Sequence, residues 1–150
     1  MKKYSICYRE NLNLVTVKNI DTYLGRIISF LEDNDISIIS CNIKPSKLFD
    51  ILIVAPDKSL SKIASVLKSK TTQNNVITIR SGVCIVSIVP ENNSPINIVS
   101  IICRYFDKKD KSIERIIVSQ KEIRIFFPAS EVCGSLDAFL RDFENYINNI

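Results

Sequence analysis

The fold is decided by two strands that begin matching units, Leu14-Val-Thr-Val17 and, about 70 residues later, Ile85-Val-Ser-Ile-Val89. Each strand is followed by apolar residues at i, i+3, i+4 and i+7, the spacing of a helix with one buried face. These apolar stripes are Leu24, Ile27, Ile28 and Leu31 in the first unit, and Ile98, Ile101, Ile102 and Tyr105 in the second. Two strands and another helix then follow in both halves. The sequence therefore predicts a duplicated β-α-β-β-α unit.

The remaining elements show how the two copies are joined. We predict strands at 36–43, 48–54, 112–118 and 122–127, a helix at 60–68, and a last helix capped by Ser130. The first unit ends in a strand at 76–79, whereas no strand follows the last helix. A spare short strand at 4–8 precedes the first unit and is separated from it by a polar turn at 10–13. We expect the spare strand to complete the second unit.

This arrangement gives each unit the order β-α-β-β-α-β, with four strands and two helices on one face, which is the ferredoxin-like α+β fold. The expected modules are residues 12–80, and residues 3–9 together with 81–150, so that the first is inserted into the second. The fold itself leaves function open, because it supports many unrelated activities.

Composition excludes several classes of protein. The chain has 150 residues, 46% hydrophobic and 24% charged, which suits one compact domain or two small ones that share a core. No apolar run approaches the ~20 residues that span a bilayer, and the N-terminus lacks the apolar core of a signal peptide. A soluble, cytoplasmic protein with no membrane partner is expected.

Residues that enzymes commonly use are missing from the sequence. It has no histidine, and its three glycines form no phosphate-binding loop. Its five cysteines are scattered singly, with no C-x-x-C pair, so they are expected to be reduced and mostly inward-facing, and neither a metal nor a cofactor is expected. The net charge of +4 comes from dispersed lysines, and adjacent Phe126 and Phe127 point to opposite faces of a strand. Nucleic-acid binding is therefore the weakest alternative.

Several tracts resemble the C-terminal regulatory region of aspartokinases, which consists of tandem ACT domains. In the second half these are residues 84–92 and 112–125, which end in Glu122-Ile-Arg-Ile125. In the first half, residues 14–19, 24–28 and 36–38 are similar to the first ACT module of the same family. The resemblance extends over essentially the whole chain, but the kinase domain with its lysine- and glycine-rich motif is missing. It implies a regulatory protein that does not itself phosphorylate aspartate.

The resemblance also implies where an amino-acid effector would bind, at interfaces between ACT modules. A zwitterion needs donors for its carboxylate and acceptors for its ammonium, and a helix N-terminus supplies donors. The matching positions of the first unit are Asn19, Asp21 and Thr22 in the loop and Ile36, Ser37 and Ile38 in the strand. Those of the second unit are Asn92, Asn93 and Ser94 in the loop and Ser112 and Ile113 in the strand.

Both loops depart from the family pattern, because Thr22 and Ile96 replace a glycine that permits close backbone approach. Two hypotheses follow. In the first, the chain senses lysine or threonine and signals through a homodimer interface, with a separately encoded kinase chain as a further partner. In the second, the loops no longer bind an effector and the chain is a structural dimerisation module.

Overall fold

The computed structural model describes residues 2–20, 24–70, 76–93, 97–132 and 134–149. Within these residues there are six strands and four α-helices. The strands are β1 (Tyr4–Ile20), β2 (Ser37–Ile43), β3 (Phe49–Ala55), β4 (Val76–Pro90), β5 (Arg115–Val118) and β6 (Ile123–Pro128). The helices are α1 (Leu24–Asp33), α2 (Asp57–Lys70), α3 (Val99–Lys108) and α4 (Leu136–Asn148). The β1/β3, β2/β3, β4/β6 and β5/β6 pairs are antiparallel, so the predicted α+β class is confirmed.

The chain divides into two compact units. The first unit is Asn11–Ser81, and the second consists of Met1–Glu10 and Gly82–Ile150. The strands β1 and β4 each contribute residues to both units.

The first unit has the strand order β2-β3-β1-β4 with the helices α1 and α2. Two residues of the stripe predicted for α1 are confirmed as buried, since Ile27 and Leu31 are each 1% exposed, and Ile28 is half-buried. On α2, Ile63 and Leu67 are buried in the same core cluster as Ile51 and Ile53 of β3. Burying one apolar face of each helix is what holds the helices to the sheet.

The second unit has the order β1-β4-β6-β5 with the helices α3 and α4, and its core is rich in aromatic rings. Tyr105 of α3 lies with its ring centroid 5.0 Å from that of Phe143 of α4. Phe127 of β6 lies 5.4 Å from Phe139 of α4 in the same way. Such tilted pairs add specific geometry to the area they bury.

Both long strands pass through places where the sequence predicts a break. The polar turn expected at 10–13 is wrong, because β1 continues from Tyr4 to Ile20. The two strands expected at 76–79 and 85–89 form the single strand β4. Asn11 (φ 56°) and Gly82 (φ 66°) adopt left-handed backbone within these strands, which Asn and Gly tolerate best. Strand continuity depends on the neighbouring strand, so a local polar or glycine signal does not end it.

The start of α4 also differs from the prediction. Ser135 caps this helix, with its Oγ accepting a hydrogen bond from the Ala138 N–H at 3.3 Å. Ser130 instead lies in a short 3₁₀ turn, Ala129–Glu131. Gly134, at φ 93°, turns the chain between the two segments. The predicted cap was therefore five positions too early.

Among the described cysteines, the inward-facing prediction holds for Cys84, which is buried, and burial raises the pKa of its thiol. Cys103 is partly buried, and Cys7 and Cys41 are exposed, so the prediction is wrong for these two strand residues. No helix in the described ranges is long and apolar enough to cross a membrane.

Candidate functional site

A β-bulge at the end of β1 forms the candidate site of the first unit. Val17 pairs with Ile51 of β3 and Ile20 pairs with Phe49, so Lys18 and Asn19 together face the single residue Asp50. Asn19 has a left-handed backbone, with φ 60°. Bulges of this kind re-aim a side chain and are frequent beside functional sites.

Three polar side chains meet at this bulge. The Asn19 N–H donates to Asp50 Oδ1 at 2.9 Å. Lys44, which follows β2, donates from Nζ to Asn19 Oδ1 at 2.8 Å and forms an ion pair with Asp50 Oδ1 at 3.3 Å. The cluster Asn19–Lys44–Asp50, named here the bulge triad, therefore contains an amide oxygen and a carboxylate that both contact one ammonium group.

The electrostatics of the bulge triad favour an ionised carboxylate. The hydrogen bond from the Asn19 backbone N–H lowers the pKa of Asp50, and Lys44 lowers it further, while partial burial opposes both. The side chain of Asp50 is 22% exposed and that of Lys44 is 38% exposed. A charged group from solution can therefore approach the triad.

The strand residues predicted for this site lie elsewhere in the same unit. Ile36 is 5% exposed, and its N–H donates to the Leu31 carbonyl at 2.9 Å, so it belongs to the core and the helix end. Ser37 is exposed and begins β2, where it pairs with Val54 of β3. Ile38 is half-buried and packs against the first unit's core.

Strand register shows that Ser37 and Asn19 lie at opposite ends of the sheet. Ser37 pairs with Val54, which in turn pairs with Leu14 of β1. Asn19 faces Asp50, which precedes Val54 by four positions on β3, or about 13 Å at ~3.3 Å per strand residue. Within one copy of the first unit, the loop half and the strand half of the predicted site are therefore not brought together.

In the second unit, the loop after β4 begins with the 3₁₀ turn Glu91–Asn93. Asn92 is exposed and has φ 64°, so this loop, like that of the first unit, contains an asparagine in the left-handed region. Glu91 accepts a hydrogen bond from the Ser5 hydroxyl, and its N–H donates to the Lys3 carbonyl at 2.8 Å. Asn93 ends the turn. The predicted site residues Asp21, Thr22 and Ser94 lie outside the described residues.

The strand predicted to carry site residues of the second unit begins later than expected. Ser112 and Ile113 were expected within a strand at 112–118, but β5 begins at Arg115. The Glu114 N–H still donates to the Phe126 carbonyl at 2.7 Å, so the chain joins β6 just before the strand becomes regular. Ile113 packs against the core of the second unit, and Ser112 is exposed. The apolar Ile113 is thus used for packing ahead of the strand, which is why an apolar pattern alone placed the strand too early.

Lys44 and Asp50 were not predicted from the sequence. A signal for Asp50 was available, because it is the one charged residue in the otherwise apolar strand Phe49–Ala55. An acid in such a strand costs free energy unless it has partners. Lys44 offered no comparable signal, since it precedes a proline in an ordinary hairpin turn.

A second polar cluster, in the second unit, joins α3 to α4. The Tyr105 hydroxyl donates to Asp142 Oδ2 at 2.7 Å, and Lys109 Nζ lies 3.1 Å from the same oxygen. Both contacts lower the pKa of Asp142, and burial raises that of Tyr105. The cluster holds the two helices together. Across the described residues, no group of three or more Cys, Asp or Glu side chains is placed to hold a metal ion.

No protein-family model matches the sequence, and no curated protein sequence matches it. Solved structures do match. The regulatory subunit of aspartate kinase from Thermus flavus superposes with a TM-score of 0.69 and 13% identity, and the alignment covers 98% of this chain and 99% of that one.

Two larger enzymes match through part of their length. Aspartate kinase from Synechocystis has a TM-score of 0.71 and 16% identity, covering 96% of this chain and 26% of the enzyme. E. coli aspartokinase III in complex with lysine and aspartate has a TM-score of 0.57 and 14% identity, covering 97% of this chain and 31% of the enzyme. The chain therefore has the fold of an aspartokinase regulatory region, as the sequence resemblance predicted. That fold accounts for nearly all 150 residues and leaves no part of the described chain for a kinase domain.

Proposed function

We propose that this chain is an amino-acid-binding regulatory protein made of two ACT modules, the first inserted into the second. In this proposal it senses lysine or threonine in the cytoplasm and signals through a homodimer interface to a separately encoded kinase chain. An effector that binds one arrangement of the modules better than another shifts their populations, and this difference in affinity is the signal.

The observation that carries the proposal is the two-way coverage of the Thermus flavus match. The alignment spans 98% of this chain and 99% of a protein whose whole length is a regulatory subunit. A shared small domain would cover only part of one partner. The lysine bound in E. coli aspartokinase III supports a basic amino acid as the first effector to test.

The geometry of the first unit supports a dimer. Asn19 and Ser37 lie about 13 Å apart along the sheet, taken from the register at ~3.3 Å per residue. A single amino acid is too short to contact both ends of one sheet. A site that uses both halves of the first unit therefore needs them from two copies of the chain, and two-fold symmetry would create two equivalent sites.

Isothermal titration calorimetry with lysine and with threonine tests the sensing proposal. Saturable binding is expected for the wild type and is expected to weaken in Asn19→Gly, which removes the amide oxygen but keeps the left-handed backbone. Asn11→Gly is the matched control, because Asn11 has nearly the same backbone conformation at φ 56° and lies outside the bulge triad. If neither lysine, threonine nor a related amino acid binds the wild type, the sensing proposal is wrong.

Two further experiments test the proposed dimer and the proposed kinase partner. Sedimentation equilibrium of the purified chain, whose monomer mass is 17.0 kDa, is expected to show a dimer. An aspartate kinase catalytic chain from the same cell is expected to co-purify with it, and the effector is expected to change the activity of that kinase. A monomer that binds effector normally would contradict the proposed route of signalling.

One observation favours the structural alternative. The Asn19 side-chain oxygen, which would accept from an effector, already accepts from Lys44 at 2.8 Å. A permanently closed bulge triad would stabilise the first unit without binding any ligand. A stable dimer that shows no heat with any of the common amino acids would establish this alternative.

A further inference from the structure

The bulge triad contains a bound alkylammonium group supplied by the chain itself. Lys44 Nζ lies 2.8 Å from Asn19 Oδ1 and 3.3 Å from Asp50 Oδ1, so an amide oxygen and a carboxylate both contact it. Resting on the proposed function, we propose that Asn19 and Asp50 form the ammonium-binding half of the effector site, and that Lys44 occupies this half until a ligand ammonium displaces it. The ligand class is then any molecule with a primary ammonium group.

The carboxylate acceptor is held in place without Lys44. The Asn19 N–H donates to Asp50 Oδ1 at 2.9 Å, which ties the carboxylate to the bulge. The bulge in turn is fixed by the pairs Val17–Ile51 and Ile20–Phe49 on either side. Because the Asn19 backbone holds the Asp50 carboxylate, this acceptor is preorganised to receive an ammonium group from another source, beside the Asn19 side-chain oxygen.

Lys44 can leave without refolding of the hairpin. Its backbone N–H donates to the Leu48 carbonyl at 2.8 Å, and its carbonyl accepts from the Lys47 N–H at 2.9 Å. Both bonds are independent of the side chain. The Lys44 side chain is 38% exposed and has a flexible four-carbon stem, so its ammonium can move into water at small cost.

This arrangement predicts that Lys44 lowers the apparent affinity of the site for the effector. A ligand ammonium must compete with a tethered one, so its apparent affinity is reduced by the fraction of molecules in which Lys44 occupies the site. For a partly exposed ion pair of this kind, the reduction is about two- to fivefold.

The test measures binding of n-propylammonium chloride by the shift of the Asn19 backbone amide resonance in ¹⁵N-labelled protein. Lys44→Ala is expected to bind the amine about two- to fivefold more tightly than the wild type. The double variant Lys44→Ala/Asp50→Asn is expected to lose this binding. Lys47→Asn, which removes the same charge from the same hairpin, is expected to behave as the wild type, and Asn suits the φ of 66° at that position. Tetramethylammonium chloride, which carries the charge but cannot donate a hydrogen bond, is expected to give no shift.

The outcomes separate this inference from the proposed function. If lysine binds the wild type but the amine binds Lys44→Ala and the wild type equally, occupation by Lys44 is wrong and sensing stands. If the amine binds Lys44→Ala preferentially while no amino acid binds any variant, the ammonium site stands and sensing is wrong. A shift of equal size with tetramethylammonium overturns the inference, because the response would then be one of ionic strength.

Discussion

A double-mutant cycle across Lys44 and Asp50 is the sharpest test of the bulge triad's energetics. Lys44→Met keeps the side-chain stem but removes the ammonium. Asp50→Asn keeps an oxygen that can accept from the Asn19 N–H, which lies 2.9 Å from Asp50 Oδ1. The cycle therefore isolates the ion pair, whose atoms are 3.3 Å apart and whose side chains are 38% and 22% exposed. At this exposure we expect a coupling energy of about 0.5–1 kcal/mol at pH 7.

The contribution of Asp50 to the free energy of unfolding depends on pH, and the direction of this dependence follows from its pKa. The folded-state pKa of Asp50 is lowered, so its contribution to the free energy of unfolding is present above the unfolded value of about 3.9 and is lost as pH falls through the lower folded value. Urea denaturation followed by circular dichroism at pH 7, and at a pH below that window, measures the coupling in both states. The coupling energy is also expected to shrink in ~1 M salt. A coupling below about 0.3 kcal/mol at pH 7, or one that is equal at both pH values, would refute the reasoning.

Other substitutions test the packing and the corrected boundaries, all by urea denaturation. Phe143→Ala removes a 0% exposed ring from the second unit's core and is expected to lower the free energy of unfolding by about 3–5 kcal/mol, whereas Val118→Ala, at a 53% exposed position, should cost less than about 0.5 kcal/mol. Ser135→Ala should cost about 1 kcal/mol through loss of the α4 cap, and Ser130→Ala should be near neutral; the reverse order would restore the cap predicted from sequence. Gly82→Ala should cost about 1–2 kcal/mol through its φ of 66°, since an added Cβ meets nothing within 4 Å; a neutral result would contradict the left-handed backbone.

The parts of the fold that were predictable are those that depend on local spacing. The apolar stripe of α1 and that of α3 are readable because a helix repeats every 3.6 residues whatever surrounds it, and Ile27 and Ile102 are buried as expected. The hairpin between β2 and β3 was also predictable from local sequence, since its turn is made by Pro45-Ser-Lys47. The cap of α4 was misplaced because Ser130 and Ser135 carry the same local signal, and only the turn at Gly134 separates them.

Of the three residues in the bulge triad, only Asn19 was predictable from the sequence. Asn19 is readable as the polar residue that follows a strand, and the resemblance to aspartokinases placed it in an effector loop. Its partners are distant in sequence, because Asp50 is 31 positions away and Lys44 is 25. No local pattern connects them, and they meet because β3 lies between β1 and β2.

Order and spacing of side chains were enough to establish the duplicated β-α-β-β-α pattern, the helix faces and the likeness to a regulatory region. They were not enough to show that β1 and β4 run through Asn11 and Gly82 as continuous strands, which became visible only in the folded chain. The same holds for the bulge that aims Asn19 at Asp50, and for Lys44, which contacts both of their oxygens. Strand continuity and register depend on backbone hydrogen bonds to neighbouring strands, and those partners are chosen only when the sheet assembles.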